Sequence, residues 1–521
     1  MKLQAYENPV LRGFSGDPSI CRSADGRGYY LVTSSFEYFP GVPLHYSEDL
    51  VHWELVNYVL KRREQLDLTD VPPSGGLWAP TIRCHEGRYY MTTTNRTMGG
   101  NFYVWTDDPR GDWSDPVFVD LDGIDPSFTF DGGHVYYYGA CPAPDGTPGI
   151  SMMEIDIATG KALTDIRFLW AGSGNRSPEA PHIYHIGDWY YLTIAEGGTQ
   201  FGHMETAARS RNIWGPYEGA PCNPILTNVH TRNPEIQCTG HSDLIQDQNG
   251  NWWAVHIGLR MAQKYLSHIG RETFLSPVSW TEDGWPVING RRWVEIESAG
   301  PLLPAYEAKE EPVRDDFEGD QLELCWNYLR NPDLSRYNLK ERPGCLTLRG
   351  SALRLDDIGS PTVVCRRQKY FDCHMTAKME FLPEQDGEEA GIAVFLSNEF
   401  YYKIGKRREN GEDFLVLEKR AEDFYQQVCK ISVEHEKPLY LGIQAERLRY
   451  TFRWGYEESD VAIAGYASTR FLSCEVAGRS FTGAFAGMYA TGNGRDSAAK
   501  AAFDFFEMKP DEESRFADLA T

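Results

Sequence analysis

Short runs of alternating apolar and polar residues make up most of the chain, and turns that contain glycine separate one run from the next. Alternation with a period of two is typical of β-strands that are buried on one face. Apolar residues spaced as on one face of a helix are nearly absent from the first 297 residues. The pattern therefore predicts an all-β protein.

One unit recurs through residues 1–297: a short strand, a turn that contains glycine, and a second strand that carries two adjacent aromatic residues. Successive aromatic pairs are 47 to 62 residues apart, which suits a four-stranded antiparallel blade with loops of variable length. Five such units predict a five-bladed β-propeller over residues 1–297. The five pairs are Tyr29-Tyr30, Tyr89-Tyr90, Tyr136-Tyr137, Tyr190-Tyr191 and Trp252-Trp253.

The pattern changes after the fifth unit. Residues 298–313, SAGPLLPAYEAKEEPV, are rich in Pro, Ala and Glu and predict a linker. Residues 314–521 hold seven or more alternating segments, among them HMTAKMEF and AGIAVFLS, and predict a β-sandwich. Because the linker carries apolar Leu302 and Leu303, we expect it to pack along the propeller and to hold the sandwich against it.

Charge and composition narrow the classes of partner. The formal net charge is −24 and the isoelectric point is near 5.0. Such a chain repels nucleic acid and anionic lipid, so neither is an expected partner, and a neutral ligand suits it better. The sequence contains no run of 18 apolar residues, so no membrane span is predicted. The N-terminal MKLQAYENPV lacks the apolar stretch of a signal peptide, and the 11 cysteines are scattered, so we expect a cytoplasmic protein with reduced thiols.

Five residues stand 11 or 12 positions before the aromatic pairs and head their blades. Equivalent positions of successive blades surround one central axis, so this register predicts that the five side chains meet at the mouth of the channel. Three acids, an aromatic ring and a histidine at one place form a plausible sugar-cleaving site. The five residues are Asp17, Trp78, Asp125, Glu179 and His241.

The local sequences of the acids strengthen this interpretation. Asp17 and Asp125 each begin an Asp-Pro-Ser motif, and Glu179 lies in SPEAP. A single aspartate before proline is more often a simple turn, but two at equivalent positions with a third acid favour the functional interpretation. Inverting glycosidases need a protonated acid and an ionised base on opposite faces of the sugar. A third carboxylate nearby would raise the pKa of the acid and keep it protonated.

Other candidates have equally good structural explanations. His241 in TGHSD is as well explained by a buried, hydrogen-bonded histidine, and Trp78 in GGLWAP by a core position. Arg271 in GRET opens the last blade, where a surface ion pair is the ordinary role of a lone arginine. His203 and Glu205 have the spacing of two metal ligands, but without a third ligand we interpret them as structural.

At these residues the chain resembles glycoside hydrolase family 43, in particular its two-domain β-xylosidases and α-L-arabinofuranosidases. The similarity runs over nearly the whole chain and rests on several segments together. It implies a five-bladed propeller followed by a jelly-roll, concanavalin-like sandwich packed on it. The segments are NPVLRGFSGDPSI, TSSFEYFPGVPLHYSEDLVHWELV, GGLWAPTI, SPEAPHIY, LTIAEGGT, TGHSDL and GRETFLSPVSWTEDGWPV.

The resemblance also implies roles for individual residues. Asp17 would be the general base, Asp125 the group that adjusts the pKa of the acid, and Glu179 the general acid. Pocket residues would be Phe36 and Trp78 on the propeller, Arg271 on the sugar hydroxyls, and Phe481 of the SFTGAF segment as a lid from the sandwich. Some family members hold a divalent cation near the channel histidine, so a calcium ion at His241 is a further expectation, although no cofactor is required.

Three departures from the family pattern stand out. Ala180-Pro181 follows the acid where Gly-Pro is common, which leaves the carboxyl intact. Ser480 precedes Phe481, so only one aromatic residue precedes the TGAF stretch, and a lid and a local core position are equally good explanations of Phe481. The loops at 61–74 and 259–269 match the family least well, which leaves the choice between xylose and arabinose open.

The first functional hypothesis is an exo-acting, inverting β-xylosidase that releases terminal xylose from short β-1,4-xylo-oligosaccharides and takes part in xylan degradation. Activity on arabinofuranosides stays open, because the two sugars present similar hydroxyl patterns. A dedicated α-L-arabinofuranosidase is the alternative within enzymes. A non-catalytic carbohydrate-binding propeller is the alternative from another class, and the three acids argue against it. We expect a homo-oligomer whose ligand is a small oligosaccharide.

Overall fold

The computed structural model describes residues 3–97, 99–231, 235–478 and 480–511. Nearly every element in these ranges is a β-strand, so the all-β prediction is confirmed. No helix in the same ranges is long and apolar enough to cross a membrane. The helical elements described are short: η1 (Asn289–Arg291), η2 (Leu334–Arg336), η3 (Thr469–Leu472) and α1 (Cys474–Ala477).

Five antiparallel sheets follow one another along the first part of the chain and form the five predicted blades. The chain begins with β1 (Leu3–Glu7). The first segment then gives β2 (Ser19–Arg22), β3 (Tyr29–Val32), β4 (Tyr38–Phe39), β5 (Gly41–Ser47) and β6 (Glu54–Leu60), of which all but β4 form the first blade. The second blade consists of β7 (Leu77–His85), β8 (Arg88–Asn95), β9 (Gly100–Thr106) and β10 (Val117–Phe118).

The remaining blades repeat this order. The third consists of β11 (Ile124–Asp131), β12 (His134–Ala140), β13 (Ile150–Glu154) and β14 (Arg167–Trp170). The fourth consists of β15 (Glu179–Ile186), β16 (Trp189–Glu196), β17 (Met204–Ser210), β18 (Glu218–Gly219) and β19 (Leu226–Thr227). The fifth consists of β20 (Ile236–Gln246), β21 (Trp252–Arg260), β22 (Glu272–Trp280) and β23 (Pro286–Ile288).

The aromatic pairs lie on the second strands and pack between neighbouring blades. The rings of Tyr30 and Tyr89 meet edge to face at 5.3 Å between the first two blades. Tyr191 meets Trp280 in the same way at 5.2 Å between the last two. Such contacts add about 0.5–1.5 kcal/mol each to the gain from burial. The repeat that identified the propeller in the sequence is therefore the packing that holds the blades together.

A strand outside the blades closes the ring. After the fifth blade, β24 (Glu297–Pro301) pairs antiparallel with β1, with Leu3 opposite Pro301. The side-chain amide of Asn8 then donates to the carbonyl of Leu275 at 2.9 Å and accepts from its N–H at 2.9 Å. The start of the chain is thus fastened to the last blade, so the ring does not depend on side-chain packing alone.

The second part of the chain, together with β4 from the first part, forms two eight-stranded sheets that face each other. One sheet has the order β27-β28-β39-β30-β35-β36-β37 with β25 beside β39, and the other has the order β34-β33-β32-β31-β38-β29-β26-β4. The strands are β25 (Arg314–Asp315), β26 (Asn327–Leu329), β27 (Tyr337–Asn338), β28 (Leu346–Arg349), β29 (Thr362–Arg367), β30 (Cys373–Phe381), β31 (Glu389–Ser397), β32 (Phe400–Glu409), β33 (Glu412–Ala421), β34 (Phe424–Ser432), β35 (Leu439–Glu446), β36 (Arg449–Glu457), β37 (Asp460–Ser468), β38 (Phe485–Thr491) and β39 (Lys500–Pro510).

The sandwich takes one strand from the propeller. Strand β4 leaves the first blade and pairs with β26, so that Tyr38 lies opposite Leu329. The ring of Tyr38 stacks on that of Phe485 with 3.9 Å between centroids. Phe14 and Phe36 of the propeller belong to the same buried cluster. The two domains therefore share both backbone hydrogen bonds and an apolar core.

The segment between the domains also packs on the propeller. Leu303 is buried in the same cluster as Trp253, and the ring of Tyr306 meets that of Tyr46 edge to face at 6.0 Å. At the other end of the segment, the guanidinium of Arg366 in the sandwich donates to the carbonyl of Pro312 at 2.6 Å. Such contacts are not typical of a freely solvated tether. The domain limits at 297, 298–313 and 314 stay a prediction.

Candidate active site

The first strands of the five blades adjoin one another in a ring around the axis of the propeller. In each blade the backbone adopts a positive φ at or just before this strand. A positive φ is uncommon for residues other than glycine and persists only where the surroundings hold it. The five residues are Asp17, Ala79, Asp125, Ala180 and His241.

The register counted from the aromatic pairs is wrong by one residue in the second and fourth blades. The hairpins of the third and fourth blades turn at residues 132–133 and 187–188, and alignment on these turns places Ala180 opposite Asp125. Glu179 is therefore one position before the strict equivalent, because the aromatic pair starts one residue earlier after this turn. The N–H of Ala180 donates to a carboxylate oxygen of Asp125 at 3.1 Å, which keeps the two acids adjacent.

Asp17 is buried and surrounded by donors. Arg271 donates to both of its oxygens, at 2.6 and 2.9 Å, and Ser34 donates at 2.5 Å. The Nδ1 atom of His241 lies 3.3 Å from the carboxylate. Burial alone would raise the pKa of Asp17, but Arg271 and His241 outweigh burial and hold it well below its usual range. Asp17 is therefore ionised throughout the neutral range.

Asp125 and Glu179 have the opposite environment. Burial raises the pKa of Asp125, and burial together with the neighbouring carboxylate of Asp125 raises the pKa of Glu179 further. Neither acid forms an ion pair among the residues the structure describes. Because two adjacent carboxyl groups do not both ionise easily, the proton resides on Glu179 near neutral pH. One site thus holds an ionised and a protonated carboxyl group.

Three aromatic rings form one wall of the site, and one of them comes from the sandwich. Phe36 lies 6.1 Å from Trp78 and 6.0 Å from Phe481, and Trp78 meets Phe481 edge to face at 5.5 Å. The guanidinium of Arg271 lies over Phe36 and Phe481 at 5.4 and 5.5 Å. Trp78 also precedes the strict equivalent in its blade, at Ala79. The structure brings all eight predicted site residues together.

A polar network beneath the acids was not predicted. Arg83 donates to both oxygens of Asp243, at 2.7 and 3.2 Å, and Tyr184 donates to the same carboxylate at 2.7 Å. Ser19 adds a fourth donor at 2.6 Å, and Nδ1 of His182 contacts Arg83 at 2.8 Å. These side chains come from four blades and tie the inner strands together. Ser19 and Asp243 each lie two residues after a predicted site residue, so alternation along the strand was the signal that could have found them.

In the part of the chain that the structure describes, the side chains around His241 do not by themselves form a metal site. The described residues contain no group of three or more His, Cys, Asp or Glu side chains that could hold a metal ion. Nδ1 of His203 lies 2.9 Å from the carbonyl of Cys238, and Glu205 accepts the N–H of Ser242 at 3.0 Å. Both residues therefore have hydrogen-bond partners in the protein. The calcium ion stays a prediction, and no step below depends on it.

Comparison with known proteins agrees with this geometry. The profile of the family described as Glycosyl hydrolases family 43 matches residues 6–286. The chain belongs to glycoside hydrolase family 43. The profile described as Beta xylosidase C-terminal Concanavalin A-like domain matches residues 314–509. The predicted resemblance and fold class are both confirmed, and the chain is a glycosidase.

Relatives in family 43 align along most of their length. The non-reducing end α-L-arabinofuranosidase of Bacteroides ovatus is 41% identical over 97% of this chain and 95% of its own. A xylosidase/arabinosidase of Butyrivibrio fibrisolvens is 39% identical over 76% of this chain and 79% of its own. The crystal structure of a xylan β-1,4-xylosidase from Bacillus halodurans superposes with a TM-score of 0.92 at 34% identity, and covers 97% of this chain and 100% of its own.

Proposed function

We propose that this family 43 glycosidase removes terminal xylose from short β-1,4-xylo-oligosaccharides by single displacement with inversion, and that the same pocket accepts arabinofuranosides. The observation that carries the proposal is the opposite protonation of two carboxyl groups beside one aromatic wall. Asp17 is ionised, whereas Glu179 is protonated near neutral pH. This is the pair of states that an inverting hydrolysis requires.

In the proposed mechanism Glu179 donates its proton to the leaving oxygen while Asp17 takes a proton from the attacking water. The bond from the anomeric carbon to the leaving oxygen breaks as the bond to the water oxygen forms. Asp125 keeps Glu179 protonated by like-charge repulsion and stays close through the N–H of Ala180. Each acid then has one task, and none acts as a nucleophile.

The donors on Asp17 constrain how the water binds. A carboxylate offers about four lone-pair sites, and Arg271, Ser34 and His241 together occupy them. The contact from His241 is the longest of these, at 3.3 Å. We infer that His241 yields its place to the water and then orients it. Arg271 uses three of its five N–H groups on Asp17 and on the carbonyl of Phe481, which leaves two for sugar hydroxyls.

An exo-acting mode follows from the wall that the sandwich supplies. Phe481 belongs to the second domain and contacts Phe36 and Trp78 of the first. A pocket closed on one side by another domain admits a chain end more readily than the middle of a chain. Residues 314–521 are therefore proposed to be part of the active site rather than a separate binding module.

A dedicated α-L-arabinofuranosidase is the second candidate, because the relative from Bacteroides ovatus has that name at 41% identity. Initial rates on 4-nitrophenyl β-D-xylopyranoside and 4-nitrophenyl α-L-arabinofuranoside separate the two. The first proposal expects turnover of both, with the xyloside at least as fast. Turnover of the arabinofuranoside alone would replace the first proposal with the second, and turnover of neither would refute both.

Several wider features belong to the same proposal. A net charge of −24 supports a neutral oligosaccharide as ligand rather than nucleic acid or a membrane surface. All eleven cysteines are free, which supports a cytoplasmic location and a role in xylan breakdown after uptake of short chains. A homo-oligomeric state is also part of the proposal. Activity measured after exhaustive chelation and after addition of calcium tests the cation at His241.

A further inference from the structure

Ser74 lies in the irregular segment between β6 and β7. Its hydroxyl, its carbonyl and its N–H all form hydrogen bonds with residues at or beside the aromatic wall of the site. Its Oγ accepts the backbone N–H of Phe481 at 2.9 Å, and its carbonyl accepts the indole N–H of Trp78 at 2.9 Å. Its own N–H donates to the carboxyl of Glu37 at 3.0 Å. Ser74 is therefore hydrogen-bonded to the indole ring of Trp78, to the backbone of Phe481 and to Glu37, the neighbour of the third wall residue, Phe36.

The support behind Ser74 is buried and spans both domains. Ser74 is 5% exposed and Glu37 is 2% exposed. The carbonyl of Glu37 accepts the N–H of Arg330, a residue of the sandwich, at 2.7 Å. The buried carboxyl group of Glu37 accepts the N–H of Ser74, and a buried carboxyl group without such a donor would destabilise the fold. Glu37 thus fixes the backbone of Ser74 and leaves its Oγ aimed at the sandwich loop.

Phe481 is held by the propeller at both of its backbone polar groups. Its N–H donates to Ser74, and its carbonyl accepts Nε of Arg271 at 3.0 Å. Arg271 in turn pairs with Asp17. The carbonyl of Phe481 is therefore held by Arg271, the residue that orients the proposed base, and its N–H is held by Ser74.

The backbone at Ser74 indicates that its hydroxyl is needed. Ser74 has a φ of +58°, a conformation that glycine adopts without strain and that serine adopts at a cost. A turn with no further task would favour glycine here, as at Gly76, where φ is +78°. The hydroxyl of Ser74 accepts the N–H of Phe481, whereas glycine has no side-chain acceptor.

We propose that Ser74 is a positioning residue that fixes Phe481 against Trp78 and so sets the width of the sugar pocket. The claim rests on the proposed function only where it says that the pocket binds a sugar. Without the Oγ acceptor, the N–H of Phe481 would lose its partner, and the contact of its carbonyl with Arg271 would be the remaining backbone hydrogen bond at this residue. The ring would then turn away from Trp78, and the pocket would hold a single pentose less well.

Two substitutions distinguish the effect of losing the Ser74 hydroxyl from the effect of backbone strain at its positive φ. Ser74→Ala and Ser74→Gly both remove the acceptor, but glycine relieves the positive φ whereas alanine does not. Both variants should lose about fivefold to tenfold in kcat/KM on nitrophenyl pentosides, mainly through KM, since one hydrogen bond is lost. The matched control is Ser47→Ala. Ser47 is also buried, and its Oγ accepts the N–H groups of Asp49 and Leu50, neither of which is a site residue.

A double-mutant cycle with Phe481→Ala tests whether Ser74 acts through the ring. Once the ring is absent, Ser74→Ala should cost less than twofold. Equal losses in both backgrounds would mean that Ser74 only stabilises the fold and would overturn the proposal. So would a loss in Ser74→Ala that Ser74→Gly restores, because that result assigns the effect to strain.

Hydrogen–deuterium exchange gives a readout that does not depend on activity. In the wild-type protein the amide of Phe481 should be protected, and Ser74→Ala and Ser74→Gly should each raise its exchange rate at least tenfold. Ser47→Ala should leave it unchanged. Unchanged protection of Phe481 in the Ser74 variants would overturn the proposal. A wild-type protein that cleaved no pentoside but showed the expected exchange would refute the proposed function and leave the positioning role standing.

Discussion

Asp17 and Arg271 are 254 residues apart in sequence and form a buried, two-fold hydrogen-bonded pair at 2.6 and 2.9 Å. The pair joins the first blade to the last at the point where the ring closes. It also sets the ionisation of the proposed base, because Arg271 is the strongest of the groups that counteract burial of Asp17. Ring closure and catalytic chemistry therefore depend on one contact.

Replacement of Arg271 tests this dependence. Arg271→Lys keeps a positive charge but cannot donate from two fixed positions at once. The pKa of Asp17 should rise, so the acidic limb of the pH profile of kcat/KM should move to higher pH. Activity at the optimum should fall roughly tenfold to a hundredfold. Arg88→Lys is the control, since Arg88 makes the same two-fold contact with exposed Asp107. An unshifted acidic limb would contradict the account.

Glu179→Gln should remove the proton donor while it preserves the shape of the site. Substrates with poor leaving groups, such as xylobiose, should lose about 100-fold to 10,000-fold in kcat. Aryl glycosides with activated leaving groups should lose much less, because their departure needs little protonation. The ratio of the two losses is the measurement. Equal losses on both substrates would show that Glu179 is not the general acid.

Asp125→Asn should move the basic limb of the pH profile. The acid form of Glu179 is the active one, so activity is present below the pKa of Glu179 and is lost as pH rises through it. Removal of the charge on Asp125 lowers that pKa, and the limb should shift to lower pH by about one unit. Asp131→Asn, at a partly exposed hairpin of the same blade, should leave the limb in place. A shift to higher pH would contradict the role of Asp125.

Removal of residues 314–521 should abolish activity and solubility together. Strand β4 would lose its partner, and the apolar face that includes Phe14, Phe36 and Tyr38 would become exposed. Phe481→Ala in the full chain should instead weaken substrate capture and leave thermal unfolding nearly unchanged. Activity on xylobiose and elution on size exclusion are the measurements. A soluble, fully active 1–313 fragment would refute the shared active site.

The sequence allowed the blades and five of the eight site residues to be predicted because both follow from repetition, whereas Phe36, Arg271 and Phe481 were implied by the resemblance to family 43. The aromatic pairs recur in order to pack blade against blade, and a residue at one position of every blade must face the axis. The register failed by one residue at Trp78 and at Glu179 because the hairpins do not all turn at the same distance from the aromatic pair. An aromatic residue marks a packed strand, not a fixed position on it.

The contacts that orient the site could not be predicted in the same way. Ser74 lies in an irregular segment with no periodicity, and its partners Glu37 and Phe481 lie 37 and 407 residues away. Arg83 and Asp243 each look like ordinary surface charges in the sequence, yet they pair across the axis. Such contacts depend on the closure of the ring and on the docking of the sandwich, and no local pattern encodes either.

The stereochemistry of the first product tests the central claim most directly. An ionised Asp17 and a protonated Glu179 predict single displacement, so the anomeric carbon must invert. Proton NMR recorded during the first minutes of hydrolysis of a β-D-xyloside should show α-xylose before mutarotation produces the β anomer. Initial accumulation of β-xylose would require a covalent intermediate and would contradict the proposed roles of both carboxyl groups.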